Sequence, residues 1–132
     1  MKRNTDVVQI IVPLTPPSVN HYVKHTRNGG HYVTQEAKAF KSAVALFAKG
    51  QQIRLEAYYI EIWLNLGKKT RLDLDNAPKL ILDALVDAGV IHSDAAVTDL
   101  ALHKRRNWAK PSTQITIWQP SHDVVREARE NA

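Results

Sequence analysis

The chain contains no cysteine among its 132 residues. Disulfide bonds, thiolate metal sites and a cysteine nucleophile are therefore excluded, and any metal must be held by oxygen or imidazole ligands. The sequence also lacks the ~20 consecutive apolar residues that a membrane span needs, and residues 1–6 carry no apolar run of the kind found in a signal peptide. We expect a cytoplasmic protein that makes no membrane contact.

Acidic side chains are in the minority, with 13 of them against 18 lysines and arginines and a net charge of +5. This excess favours a polyanionic partner without identifying one, because many basic proteins simply have a solvated surface. The hydrophobic fraction of 44% is that of a folded globular protein. We expect one domain over residues 1–132, with a core at about 8–118 and a polar tail at 119–132.

The hydrophobic patterns predict the order β-α-β-α-β-β. Thr34 is a typical N-cap, and Gly50 and Gly89 stand where the two helices should end. A change of parity near Ala57 leaves a β-bulge open as an option there. The order indicates an α+β domain with a mixed sheet and two helices packed on one face. The predicted strands are 7–14, 53–66, 97–105 and 113–118, the helices are 34–50 and 75–89, residues 15–33 form a loop, and 106–111 join the last two strands as a hairpin.

Two carboxylates, Asp73 and Asp75, follow the second strand at positions i and i+2. On an extended segment such side chains point the same way and can share one cation, and Mg²⁺ prefers oxygen ligands. Asp94 lies between the second helix and the next strand, so we take it as a third ligand. Lys79, one turn past Asp75, is then placed to act as a cation over the scissile phosphate. In the alternative interpretation, the aspartates only cap a helix and occupy an ordinary turn.

The stretch Arg71-Leu72-Asp73-Leu74-Asp75-Asn76 is followed by Lys79 and then by Asp94. This ordered set of motifs resembles the core of the RusA-type Holliday junction resolvases, and the resemblance runs over residues 8 to 118. Ser93 departs from the pattern, because members often carry a second aspartate there, and the tail after Trp118 has no counterpart. The shared residues are Pro16-Pro17-Ser18 with Asn20, Arg71-Leu72-Asp73-Leu74-Asp75-Asn76, Lys79, Asp83-Ala84-Leu85-Val86-Asp87-Ala88-Gly89, Asp94 and Lys104.

The resemblance implies an intertwined or closely packed homodimer that cuts four-way DNA junctions with Mg²⁺, for which Mn²⁺ can substitute. It assigns the catalytic acids, which are also the metal ligands, to Asp73, Asp75 and Asp94, and the catalytic lysine to Lys79. Small resolvases of this type commonly resemble phage or prophage products. Two alternatives stay open: a non-catalytic basic DNA-binding module, and a nuclease that acts on another branched or flap DNA.

Basic side chains cluster in three stretches around the predicted site, and we expect them to contact DNA phosphates. Trp108 either stacks on unpaired bases or packs on its own strand or at a subunit contact. His21, His25 and His31 match no zinc-binding pattern and are interpreted as DNA-facing or solvated. The candidate DNA-binding residues are Lys24, Arg27, Lys68, Lys69, Arg71, Lys104, Arg105, Arg106 and Lys110.

Overall fold

In the part of the chain that the structure describes, six strands and two helices follow one another. The computed structural model describes residues 7–17, 23–25, 31–68, 72 and 77–119, and for 23–25 and 31–33 it describes the backbone alone. A 3₁₀ turn, Asp94–Ala96, precedes the fifth strand. The elements are β1 (Val7–Val12), β2 (Val23–His25), β3 (His31–Val33), α1 (Gln35–Phe47), β4 (Tyr58–Asn65), α2 (Ala77–Asp87), β5 (Val97–Arg105) and β6 (Ser112–Trp118).

The main sheet has four strands in the order β1-β6-β4-β5. β6 is antiparallel to both of its neighbours, whereas β4 and β5 are parallel, so the predicted mixed sheet is confirmed. β2 and β3 form a separate antiparallel ribbon in which His25 is opposite His31. None of the described helices reaches the length and hydrophobicity of a membrane span.

Alternation along the strands divides the sheet into a buried face and a half-exposed face. The two helices supply the other half of the core against the buried face, as their spacing predicts. Thr34 caps α1, because its hydroxyl accepts a hydrogen bond from the Ala37 N–H at 3.4 Å. The main core residues are Val8, Ile10 and Val12 on β1, Phe40 and Val44 on α1, Ile60, Ile62 and Leu64 on β4, Leu80, Ile81 and Leu85 on α2, and Ile115 and Ile117 on β6.

The opposite side of the sheet, which we call the open face, carries mainly half-buried and exposed side chains. Aromatic rings on this face stack in pairs, so each ring covers part of its neighbour. Tyr59 stacks on Trp118 with ring centroids 4.5 Å apart, and Trp63 stacks on His103 at 4.1 Å. The open face includes Val7, Gln9 and Ile11 on β1, Gln114, Thr116 and Trp118 on β6, Tyr59, Glu61 and Trp63 on β4, and Asp99, Ala101, His103 and Arg105 on β5.

The predicted hairpin between the last two strands is wrong. β4 lies between β5 and β6, so residues 106–111 cross over the end of β4 instead of making a tight turn. The Trp108 N–H donates to the Leu66 carbonyl at 2.9 Å and fixes this crossing. β5 and β6 do not form a hairpin with each other because each of them pairs with β4. β5 is therefore an edge strand of the sheet.

Two other stretches differ from the sequence prediction. The predicted loop at 15–33 contains the β2–β3 ribbon, and residues 53–57 are not part of β4. The Ile53 N–H donates to the Val90 carbonyl at 2.9 Å, so this segment is bound to the turn after α2 instead of to a strand. The register of β4 against β5 shifts between Tyr58 and Tyr59, one position after the predicted bulge.

Candidate active site and DNA interface

The segment predicted to carry two of the three metal ligands is bounded by core residues. Asp73 and Asp75 themselves lie outside the described residues, as do Lys69 and Arg71. Leu72, the residue before Asp73, is buried, and so is Ala77, the first residue of α2. The assignment of Asp73 and Asp75 therefore remains a prediction.

Lys79 lies in the first turn of α2 with its side chain exposed. The helix buries Ala77, Leu80 and Ile81 against the sheet, which leaves position 79 on the outer side. An exposed lysine at the beginning of a helix is free to turn its ammonium toward a bound phosphate. This position agrees with the predicted role of Lys79 without testing it.

Asp94 opens the short 3₁₀ turn that connects α2 to β5, and its side chain is exposed. Ser93 caps this turn, because its hydroxyl accepts from the Ala95 N–H at 3.1 Å. The Asp94 carbonyl accepts a hydrogen bond from the N–H of Val97, which is the first residue of β5. Among the residues that the structure describes, these hydrogen bonds form without the Asp94 carboxylate.

The sheet sets a geometric condition on the predicted convergence. Tyr58 pairs with Val97 where β4 and β5 begin, and Asn65 pairs with Arg105 where they end. Asp94 therefore lies next to the starting edge, about 25 Å along the strands from the end of β4. The seven residues 67–73 can span at most ~25 Å, so Asp73 comes close to Asp94 within one protomer only if this segment runs back almost fully extended. Within the described ranges, no three His, Asp or Glu side chains are grouped closely enough to hold a metal.

Several of the predicted DNA-binding residues lie at the edge where β4 and β5 end. Lys68, Arg106 and Lys110 are exposed there, and Lys104 is half-buried on β5. The Leu66 N–H donates to the Arg105 carbonyl at 2.7 Å, which joins this basic loop to the segment that leads toward Asp73. Of the remaining candidates, Lys24 lies on β2, where only the backbone is described, and Arg27 lies outside the described residues.

Arg105 has its side chain engaged within the protein. Its Nε donates to the Asn65 amide oxygen at 2.8 Å, and its Nη2 donates to the Gln114 amide oxygen. The guanidinium carbon lies 4.4 Å from the ring centroid of Trp63 and 4.6 Å from that of Trp108. Trp108 thus packs on its own sheet, the second of its two predicted arrangements. Arg105 is better described as an organiser of this edge than as a free phosphate ligand.

Sequence reasoning missed the partners of Arg105. Asn65 is 1% exposed, and its amide donates to the Ser112 hydroxyl at 2.9 Å and to the Gln114 side chain at 2.8 Å. The available signal was an asparagine that ends an otherwise apolar strand, because a buried amide at such a position needs several polar partners. A buried hydrogen-bond network at the end of β4 follows from that signal.

The family model and the similar proteins found by comparison all name one family. Residues 13–118 match the family model of endodeoxyribonuclease RusA, and this range covers every described element except β1. A crossover junction endodeoxyribonuclease from Enterobacteria phage 82 is 35% identical over 111 residues, which is 82% of this chain and 92% of that protein.

Two bacterial relatives belong to the same family as the phage protein. The crossover junction endodeoxyribonuclease RusA of Escherichia coli strain K12 is 35% identical over the same shares of the two chains, and that of Shigella sonnei is 33% identical. The matched region includes the segment of Asp73 and Asp75, α2 with Lys79, and the turn of Asp94. The chain therefore belongs to the RusA family of endodeoxyribonucleases.

Proposed function

We propose that this endonuclease resolves Holliday junctions by paired, Mg²⁺-dependent hydrolysis of phosphodiester bonds during DNA recombination and repair. The observation that carries the proposal is the similarity to crossover junction endodeoxyribonucleases over 82% of the chain. It is supported by the exposed Asp94 turn and by the basic edge of the sheet. The metal, the substrate shape and the dimer are the parts of the proposal that experiments must establish.

The metal ligands in this proposal are Asp73, Asp75 and Asp94. The donor set suits a hard cation, because it consists of carboxylate oxygens in a chain without thiolates. The Asp94 side chain is exposed on a turn whose described hydrogen bonds come from Ser93 and the backbone. Mg²⁺, or Mn²⁺ in its place, supplies Lewis-acid polarisation of the phosphate and activation of a water when bound. The carboxylates hold the cation and offset its charge.

Lys79 acts on the phosphate in this proposal. Its exposed ammonium in the first turn of α2 stabilises the negative charge that develops on the phosphoryl oxygens, and preorganised groups of this kind are often a large part of catalysis. Lys79→Met removes the charge and keeps most of the apolar stem. We expect a loss of cleavage at saturating substrate with little change in junction binding. Normal cleavage by that variant would exclude this role.

Binding in this proposal depends on basic residues, of which Lys68, Arg106 and Lys110 are exposed where β4 and β5 end. Each phosphate contact releases counterions, so the affinity for a junction should fall steeply as salt rises. Arg105 is left out of this set because Asn65, Gln114 and two tryptophans already engage its guanidinium. The proposed phosphate-binding residues are Lys24, Arg27, Lys68, Lys69, Arg71, Lys104, Arg106 and Lys110.

Resolution of a four-way junction requires two opposed nicks, and a two-fold homodimer provides two matching active sites. We propose the open face as the contact between the protomers. Glu61 and Arg105 have partners on the face itself, since His103 lies 3.2 Å from Glu61 and Arg105 bonds to Gln114. The Asp99 carboxylate lies on the edge strand of this face, 3.0 Å from the Thr98 hydroxyl. Two such faces, each roughly 20 Å across, would bury on the order of 1,000 Å², the lower end for a specific interface.

Substitutions of opposite charge at Thr116 separate a dimer contact from a DNA contact. Thr116 lies at the centre of the open face, opposite Gln9 on one side and Glu61 on the other. At a dimer contact, both Thr116→Arg and Thr116→Glu should yield monomers in sedimentation experiments. At a DNA contact, the dimer would persist, the arginine would strengthen junction binding and the glutamate would weaken it. Gln9→Arg and Gln9→Glu repeat the test at an exposed position on β1.

The central experiment compares labelled four-way junction, flap and linear duplex, each with and without Mg²⁺. We expect paired nicks in the four-way junction, in the presence of the metal only. Equal cutting of flap and junction would favour a nuclease of broader shape preference. Binding without cleavage under every metal condition would favour the non-catalytic DNA-binding module.

A further inference from the structure

The hydroxyl of Tyr58 holds the turn that carries Asp94. We infer that Tyr58, together with His92, is a positioning residue that fixes the Asp94 carboxylate for its task, an inference that rests on the proposed role of Asp94 as a metal ligand. Tyr58 is the first residue of β4 and is 0% exposed. Its side chain reaches from the core toward the chain that leads into the Asp94 turn.

The hydroxyl of Tyr58 uses its full hydrogen-bonding capacity. It donates to the Ile53 carbonyl at 2.7 Å and accepts from the N–H groups of Leu55 and His92, each at 3.3 Å. A phenol offers one donor and two acceptor positions, so all three are occupied. One side-chain oxygen thereby links the segment before β4 to the turn after α2.

His92 strengthens the same link from the other side. Its Nε2 lies 2.9 Å from the Leu55 carbonyl, and because a carbonyl only accepts, Nε2 must carry the proton. The imidazole ring also packs on the Tyr58 ring, with centroids 5.6 Å apart. The Ile53 N–H donates to the Val90 carbonyl at 2.9 Å and adds a backbone connection. Residues 90–92 are therefore bound at several points to residues 53–58.

Asp94 lies between two anchors that both end on Tyr58. On one side, the His92 N–H is bound by the Tyr58 hydroxyl. On the other side, Val97 is the sheet partner of Tyr58 where β4 and β5 begin. The Thr98 hydroxyl lies 3.3 Å from the Tyr58 carbonyl and 3.0 Å from the Asp99 carboxylate, and its single proton serves one of these acceptors at a time. The five residues 93–97 that carry Asp94 are thus held at both ends by one residue of β4. Since the Asp94 side chain is exposed and gains little from packing, these anchors set where its carboxylate projects.

The hydroxyl is separable from the packing of the ring. Phenylalanine would fill the same buried space, so Tyr58→Phe deletes only the three hydrogen bonds. A metal ligand must be held within roughly 0.5 Å of its working position, and a loosened turn would therefore weaken metal binding before it affects the fold. Tyr59→Phe is the matched control, because it removes the same group from the next residue, whose ring lies on the open face against Trp118.

The test measures amide hydrogen exchange over residues 90–97 and the affinity for Mn²⁺ by calorimetry, both without DNA. We expect Tyr58→Phe to speed exchange at His92 by about five- to tenfold, the effect of losing a hydrogen bond of ordinary strength. We also expect a several-fold weaker affinity for Mn²⁺, and in cleavage assays a higher Mg²⁺ concentration at half-saturation. Exchange and metal affinity equal to those of Tyr59→Phe would overturn the inference.

His92 provides a second test at an exposed position where folding is not at risk. His92→Gln keeps a donor for the Leu55 carbonyl and should retain more metal affinity than His92→Leu. Equal affinity in both variants and in the wild-type protein would contradict the positioning role of the imidazole. The proposed function fails separately: if Asp94→Asn binds Mn²⁺ as the wild-type protein does, the ligand assignment is wrong even where the exchange results support the anchors.

Discussion

The arrangement around Arg105 predicts that this residue contributes to stability rather than to DNA binding. Arg105→Ala removes two hydrogen bonds from a charged donor, to Asn65 and Gln114, and two contacts with the rings of Trp63 and Trp108. Hydrogen bonds to charged groups contribute about 1.5–3 kcal/mol each, and a cation–π contact at a partly exposed site contributes about 0.5–1 kcal/mol. Because water replaces part of these interactions at a half-buried site, we expect a net loss of about 3 kcal/mol.

This loss is measurable by urea denaturation and by thermal melting. In a domain of this size, ~3 kcal/mol corresponds to a fall in Tm of roughly 10 °C. Arg105→Lys should be intermediate, because an ammonium cannot reproduce the planar two-pronged geometry of the guanidinium. Below the melting temperature, Arg105→Ala should bind a junction almost as the wild-type protein does, whereas Lys110→Ala should bind more weakly. An unchanged free energy of unfolding together with weakened junction binding would refute the reasoning and return Arg105 to the phosphate-binding set.

Three further predictions concern helix ends and charge. Thr34→Ala should lower the free energy of unfolding by about 1 kcal/mol in urea denaturation, because the N-cap bond to Ala37 is lost; no change would show that the cap is dispensable. Gly89→Ala should cost about 1–2 kcal/mol in the same assay, since φ is +76° while the added Cβ meets only ordinary contact with Gln52; a neutral result would argue against this backbone conformation. Lys110→Ala should reduce the slope of log affinity against log salt by about one in junction-binding titrations, and an unchanged slope would remove Lys110 from the phosphate contacts.

Much of the fold follows from local pattern. The apolar spacing of α1 and α2 predicts both helices, and the alternation in β1 and β6 predicts strands with one buried face. These predictions succeed because burial of a periodic face is a local property that a short stretch of sequence encodes. Thr34 and Gly89 were readable for the same reason, since caps and left-handed positions depend on single residue types.

The pairing of the strands was harder to predict from the sequence than the helices and strands themselves. Nothing local in residues 97–118 indicates that β4 inserts between β5 and β6, because pairing partners are chosen by the whole sheet. Ile53 and Leu55 look like strand residues, yet the Ile53 N–H bonds to the distant Val90 carbonyl and the Leu55 N–H bonds to the side chain of Tyr58. The β2–β3 ribbon is only three residues per strand and carries too little pattern to be recognised.

The candidate site, like the fold, was predicted from the sequence only in part. Family motifs indicate the acidic residues and Lys79, because their types and order carry the chemistry. The anchors of Asp94 were not predicted, since a tyrosine at the start of an apolar strand is ordinarily interpreted as core. The role of Arg105 was also missed, because a charge next to a basic loop does not reveal that amides and indole rings already surround it.

Cleavage and binding of a four-way junction by Asp75→Asn and Asp94→Asn test the metal site most directly. With Mg²⁺ present, we expect each variant to lose more than about a hundredfold in cleavage rate, because each lacks a ligand to a cation that contributes several kcal/mol to the transition state. Junction binding should be preserved or strengthened, since each change removes a negative charge near phosphate. Wild-type rates of cleavage in either variant would contradict the assignment of that aspartate as a metal ligand.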